Sequence, residues 1–338
     1  MAILFTDSFQ YTTLLTKYDT TGSYQAVASA SPRFTGDRYL NFTDGAGYVT
    51  KILGGAQPQT IMLQFGLYWT YANAQNCLCA FYANGGQKFN LRINSAYQLQ
   101  LYRWTTHVQT STLTIPSAAW NQIELKAYIH GSAGTLLVKC NGVTIFNLTS
   151  QNLNYDGGNL YADQFALSGP SMSGGQNTFR ISDVIVMDTT GSYCNDLLGA
   201  RRVQPCLPTG AGYYSQWSPS AGSNWQNVEE VPPTDDTDYN STSDVDEIDT
   251  FEVPDVANTN ATIDAVVLQL YGKSTDAGFS RVKGICRSNS VDGLSDTEVV
   301  LTNSYKYGQS PIYLDPNTSA PFTVSGFNAA EFGYKRTA

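Results

Sequence analysis

Three carboxylates crowd into Glu247-Ile-Asp249-Thr-Phe-Glu252. Two carboxyls projecting from one strand can hydrolyse a glycosidic bond, one as nucleophile and one as general acid/base, when they stand about 5–5.5 Å apart. Against that chemistry, the stretch lies in an acidic region and Pro254 follows at once, so the acidic start of a strand is the competing reading. The chain has two imidazoles, His107 and His130. His130 falls on the polar phase of an alternating segment, where an exposed surface histidine is expected. No Gly-x-Ser-x-Gly elbow and no phosphate-cradling glycine loop occurs, so acyl and phosphoryl transfer lack their usual parts. The six cysteines (Cys77, Cys79, Cys140, Cys194, Cys206 and Cys286) contain no CxxC pair. They are expected as reduced, mostly buried thiols, with Cys77 and Cys79 sharing one face of a strand, and not as zinc ligands. No metal and no cofactor is expected. The calcium candidates are Asp156-Gly-Gly-Asn159 with Asp163, and Asp235 with Asp236 and Asp238; neither set has EF-hand spacing.

A binding surface is easier to assemble. From Lys88 to Trp104, alternation puts Phe89, Leu91, Ile93, Leu99 and Leu101 on one face. Lys88, Asn90, Arg92, Gln98, Gln100, Tyr102 and Trp104 fall on the other. Amides, a guanidinium and two aromatic rings on one sheet face suit a sugar, which takes hydrogen bonds at its edge and stacking on its face. The same residue types suit a protein interface.

The elements that would carry such residues are strands. Gln122–His130 alternates polar Gln122, Glu124, Lys126, Tyr128 and His130 with apolar Ile123, Leu125, Ala127 and Ile129. Gly131–Gly134 turns the chain, a strand runs over Thr135–Cys140, and Asn141-Gly142 predicts a two-residue hairpin because both positions must take positive φ. Further short alternating segments, separated by Gly, Asn and Pro, predict an all-β chain. The 338 residues are long enough for two units. The first spans 1–188, a connector follows over 189–212, and a smaller second unit spans 213–338. No apolar run approaches the ~18 residues of a membrane helix.

Only 14% of residues are charged, and the net charge of −9 is uneven. Twelve acids and no Lys or Arg lie between Val203 and Gly272, while the rest of the chain holds 16 acids against 19 bases. Nucleic-acid binding by that region is disfavoured. The opening MAILFTDSFQ lacks the basic and long apolar parts of a signal peptide, so folding in a cytoplasm is expected.

The order of Asp7-Ser8-Phe9, the Trp120 strand bearing Glu124, the Gly134 turn, Asn141-Gly142 and the closing Ile181-Ser-Asp183-Val-Ile-Val-Met187 resembles concanavalin A-like (laminin G-like) jelly-roll domains over 1–188. Glu247-x-Asp249-x-x-Glu252 is similar to the active-site strand of glucanases sharing that fold. The second half resembles the C-terminal module of tailed-bacteriophage virion proteins. Its matching segments are Leu197-Leu198-Gly199, Arg201-Arg202-Val203, Trp217-Ser-Pro-Ser220, Val231-Pro-Pro233 with Asp235 and Asp236, Asp249-Thr-Phe251 and Asn328-Ala-Ala-Glu331-Phe332-Gly333. The resemblances imply a concanavalin A-like sandwich followed by a smaller C-terminal β-sandwich. They imply a non-enzymatic structural component of a tailed-phage virion, either outer capsid decoration or a tail component. Its partners would be other virion proteins and further copies of itself, a trimer included. The alternative is a host-glycan-binding adhesin, and a third reading is a glucanase using Glu247, Asp249 and Glu252.

Overall fold

The alternating segments form strands, and the computed structural model describes residues 2–11, 17–22, 25–42, 47–70, 76–168, 179–275 and 278–338. Two units are present, Ala2–Gln204 and Pro205–Ala338. The strands of the first are β1 (Ile3–Asp7), β2 (Thr20–Thr21), β3 (Gln25–Ala28), β4 (Tyr39–Phe42), β5 (Tyr48–Ile52), β6 (Thr60–Trp69), β7 (Asn76–Ala83) and β8 (Gly86–Ile93). They continue as β9 (Gln98–Arg103), β10 (Thr106–Thr114), β11 (Trp120–Tyr128), β12 (Gly134–Cys140), β13 (Val143–Gln151), β14 (Gln164–Ser168) and β15 (Phe179–Asp188).

These strands make a two-layer jelly roll. One sheet runs β13-β12-β11-β6-β15-β4-β3, with β1 completing its eight strands by pairing along β15. The other runs β10-β9-β8-β7-β14-β5-β2. The core between them takes Leu63, Phe65, Leu67, Ile123 and Leu125 from the first sheet and Phe81, Phe89, Leu91, Leu101 and Phe165 from the second, all with at most 1% of their surface exposed. The Asn141-Gly142 hairpin forms as the sequence predicts: both residues have positive φ, and Cys140 faces Val143 across the turn.

Two local departures re-aim side chains. In β15 the register against β6 shifts between Ser182 and Ile185, with Asp183 at φ 51°. A bulge of this kind turns one extra side chain out of the ladder. In β7 the register shifts between Cys77 and Cys79, so Cys77 lies opposite Arg92 and Cys79 opposite Leu91. The two cysteines therefore take opposite faces, correcting the expectation that they share one.

The domain limits also change. Residues 189–204 belong to the first unit, and only Pro205 onward joins the second. The second unit has a five-stranded sheet in the order Gly210–Ser215, Ile248–Glu252, Ala330–Arg336, Ser280–Ser288 and Val291–Leu301. Its opposing layer is thin: the two-stranded ribbon of Val266–Gly272 and Lys306–Ile312, with the helix Val324–Asn328. Cys286, Ile312, Phe322, Phe327 and Phe332 form its main core, with Val266 and Leu268 packed on it. Val291–Leu301 returns along Ser280–Ser288 through a tight hairpin in which Asn289 and Ser290 both take positive φ. No helix among the described residues is long and apolar enough to cross a membrane.

Candidate functional site

The outward face of the seven-stranded sheet gathers the polar residues singled out from Lys88 to Trp104. Across β8, β9 and β10 they form two rows: Asn90, Tyr102 and His107, then Arg92, Gln100 and Thr110. The Arg92 guanidinium lies 4.0 Å over the Tyr102 ring, and the His107 ring meets the same phenol edge-on at 5.3 Å. Gln100 donates to the Thr110 hydroxyl at 3.2 Å, and Gln98 donates to the Ser111 carbonyl at 2.9 Å. Each amide keeps its oxygen or a second N–H for a ligand. His107 is exposed and hydrogen-bonded through Nε2 to Thr110 at 2.8 Å.

Three of the expected contact residues have another task. Lys88 has none of its surface exposed. Its ammonium donates to Asn154 Oδ1 at 2.9 Å and Asp156 Oδ1 at 2.6 Å. Asn90 Nδ2 and Arg92 Nη2 donate to the Trp104 carbonyl at 2.9 and 3.1 Å. Trp104 lies just beyond β9 with φ 56°, and its ring runs parallel to Tyr155, 6.0 Å between centroids and 8° between planes. Tyr155 and Asn154 are not among the residues the sequence singles out, and His107 is named there only as one of two imidazoles. The available signal is the turn-rich run Asn152-Leu-Asn-Tyr-Asp-Gly-Gly, of which the sequence marks only Asp156-Gly-Gly-Asn159, with Asp163, as a calcium candidate.

The calcium candidates do not converge. Asp156 is tied to Lys88 and to the Gly158 amide, and Asp163 accepts from the Asn84 amide. Asp235 accepts from the Tyr271 hydroxyl, Asp236 from Lys273 and Tyr305, and Asp238 from Thr234. Among the described residues no group of three His, Cys, Asp or Glu side chains is placed to hold a metal ion.

The three-carboxylate motif is also dispersed. Ile248–Glu252 pairs with Ala330–Arg336 in unbroken register, so alternation sends Glu252 to the face opposite Asp249. Asp249 is fully buried and accepts from the Gln216 and Trp217 amides (2.8 and 3.0 Å), from Asn224 Nδ2 (2.7 Å) and from the Tyr334 hydroxyl (3.3 Å). Burial pushes its carboxyl above the usual carboxylate range, against the pull of those donors. Glu247 accepts from Thr242. These groups brace a strand and do not form an acid–base pair.

The eight-stranded sheet also has a polar outward face, but the chain itself covers it. Gln64 and Glu124 are buried there. Glu124 Oε1 accepts from the Gly199 amide (2.9 Å) and Gln64 Nε2 (3.1 Å), and Gln64 Oε1 accepts from the Leu198 amide (3.1 Å). Asp183 accepts from the Val203 amide at 2.9 Å and pairs with Arg33 at 3.2 Å. Arg202 forks onto Asp37 at 2.6 and 2.9 Å. Gly66 leaves the space in which Ser182 and Arg33 lie on the sheet. Leu198–Val203, assigned by resemblance to the second unit's module, is thus a strap on the first.

No family model and no curated protein matches the chain. Solved structures match part of the chain at low similarity. A protein titled "Sialidase" matches at 9% identity and TM-score 0.37 over 49% of this chain and 16% of its own. A Trypanosoma rangeli sialidase solved with sialic acid matches at 11% identity and TM-score 0.34, over 50% of this chain and 30% of its own. The alginate lyase Aly36B matches at 8% and TM-score 0.38, over 54% of this chain and 96% of its own. The chain thus spans a minor part of the sialidases and nearly the whole of the lyase. This comparison corrects one expectation. The proteins matched are sialidases and alginate lyases and not virion proteins, and the reading as a non-enzymatic virion component acting by protein–protein assembly is set aside.

Proposed function

We propose that the first unit binds a saccharide on the outward face of its seven-stranded sheet. The observation that supports it is the chemistry of that face. Gln98, Gln100, Thr110 and His107 offer hydrogen bonds on β9 and the edge strand β10, and Trp104 with Tyr155 offers exposed aromatic surface beyond the end of β9. A sugar needs both, because its hydroxyls ring the edge and its C–H groups line the face. The Gln98 and Gln100 amides are anchored by hydrogen bonds to Ser111 and Thr110, so little of their side-chain entropy is lost on binding. The three-carboxylate motif lies in the second unit's framework, so it assigns no catalytic group to this face.

Screening the intact chain on an array of oligosaccharides tests the reading. Binding to at least one glycan is expected, weakened by Gln100→Ala and His107→Ala, with the ligand recovered intact by mass spectrometry. Failure to bind any glycan would sink the proposal. Cleaved ligand would replace it with an enzymatic one.

A further inference from the structure

We infer that Lys88 is a positioning residue that holds Tyr155 parallel to Trp104, and that this ring pair is the subsite for a neutral pyranose stacked through its C–H face. The inference rests on the proposed saccharide-binding role and says which end of the sheet takes the sugar ring.

Lys88 has no exposed surface with which to touch a ligand. Its side chain acts instead on the segment from Asn152 to Gly158. The ammonium binds Asn154 Oδ1 and Asp156 Oδ1, on either side of Tyr155. The segment then closes on itself. Asn154 Nδ2 donates to the Gly158 carbonyl at 3.1 Å, the Gly158 amide donates to Asp156 Oδ1 at 3.1 Å, and Gly157 takes φ 66°. Gly86 completes the seat, because a Cβ there would strike the Asp156 carboxylate. Tyr155 therefore stands on a fixed base.

Trp104 is fixed from the other side through its carbonyl, which accepts from Asn90 and Arg92. The two rings meet at 6.0 Å and 8°, and they are 46% and 47% exposed. An offset stack of this kind leaves ring surface open on both partners. Lys88 and Asp156 are paired at 2.6 Å, so the charges beneath the rings cancel each other. The subsite thus offers flat carbon surface, with the nearby Arg92 guanidinium laid over Tyr102 and bonded to Asn90 and the Trp104 carbonyl. That surface matches a hexopyranose with a face of C–H groups, and an uncharged ring needs no further counter-ion there.

The test is calorimetric titration of the full chain with neutral gluco- and galacto-oligosaccharides, with circular dichroism to confirm folding. The wild type is expected to bind, and Tyr155→Ala and Trp104→Ala each to weaken binding about tenfold or more, as loss of a stacking partner does. Lys88→Met is expected to weaken binding to a similar extent and to add nothing in a Tyr155→Ala background, since both would remove one platform. Should Lys88→Met not fold, Asp156→Asn replaces it in the same cycle. Unchanged affinity in Tyr155→Ala, with the wild type binding, overturns the inference and leaves the saccharide reading standing. Additive losses in the double variant overturn the role of Lys88. Binding only of charged saccharides overturns the ligand class, and no saccharide binding overturns both readings.

Discussion

The first unit carries two polar sheet faces built by the same alternation, and they have opposite fates. On the eight-stranded sheet, Gln64, Glu124 and Asp183 spend their hydrogen bonds on the strap Leu198–Val203 and are buried. On the seven-stranded sheet, Gln100, His107 and Thr110 bond to one another and stay in part open to solvent. The difference teaches that a polar face can be framework or site according to whether its own chain returns to it. Buried polar groups must be satisfied by protein, which makes the covered face costly to alter. The open face is satisfied by its neighbours and by water, so it is cheap to alter and available to a ligand.

The contrast can be broken most strongly at Asp183. Asp183→Ala strands the largely buried Arg33 guanidinium and the Val203 amide, and should cost about 3–5 kcal/mol, as removing one partner of a buried pair does. A lowered urea midpoint, with faster amide exchange confined to 198–203, checks it. Glu124→Ala removes the acceptor of the Gly199 amide and of Gln64, for an expected loss of about 2–3 kcal/mol by the same measurement. If either change proves neutral, the strap is not a structural cover.

A subtler effect is its pH dependence. Burial pushes the Asp183 carboxyl above its ordinary value of 3.8, outweighing the Val203 amide and the Arg33 charge. The folded chain then holds that proton more tightly than the unfolded chain. The resulting contribution to stability is full below 3.8 and is lost as pH rises through the higher folded value. Asp183→Asn, tolerated at positive φ, should therefore flatten the stability curve on the alkaline side of 3.8, read from urea midpoints across pH. An unchanged slope would assign the pH dependence to other groups. The smallest effect belongs to the open face: Gln100→Ala should shift stability by no more than about 0.5 kcal/mol, as surface changes do. A loss as large as that of Glu124→Ala would erase the distinction between the faces.

How much of this was legible follows the range of the interactions. Asn141-Gly142 announced its hairpin because a two-residue turn of positive φ is a local demand. The strand over Trp120–Tyr128 was legible from alternation, yet the burial of Glu124 was not, because its cover arrives from Gly199. Lys88 was correctly placed in the polar phase of β8 and wrongly expected at the surface, since the 152–158 turn folds over it. The Glu247-Asp249-Glu252 spacing suggested an active-site strand. Unbroken pairing puts Glu252 on the other side, and Asp249 instead ties down the Gln216–Trp217 turn.

The amino-acid sequence by itself determined the all-β character, most of the longer strands, the tight hairpin and the polar phase of each sheet face. Backbone dihedrals and two-residue alternation depend on neighbours a few positions apart. The tertiary structure alone decided which polar face is sealed by the strap and which stays open. It also brought Tyr155 to Trp104 and turned Lys88 from a ligand contact into a support. Those outcomes depend on groups far apart in the chain meeting in space, where a buried charge or amide must find its partner and an exposed one need not.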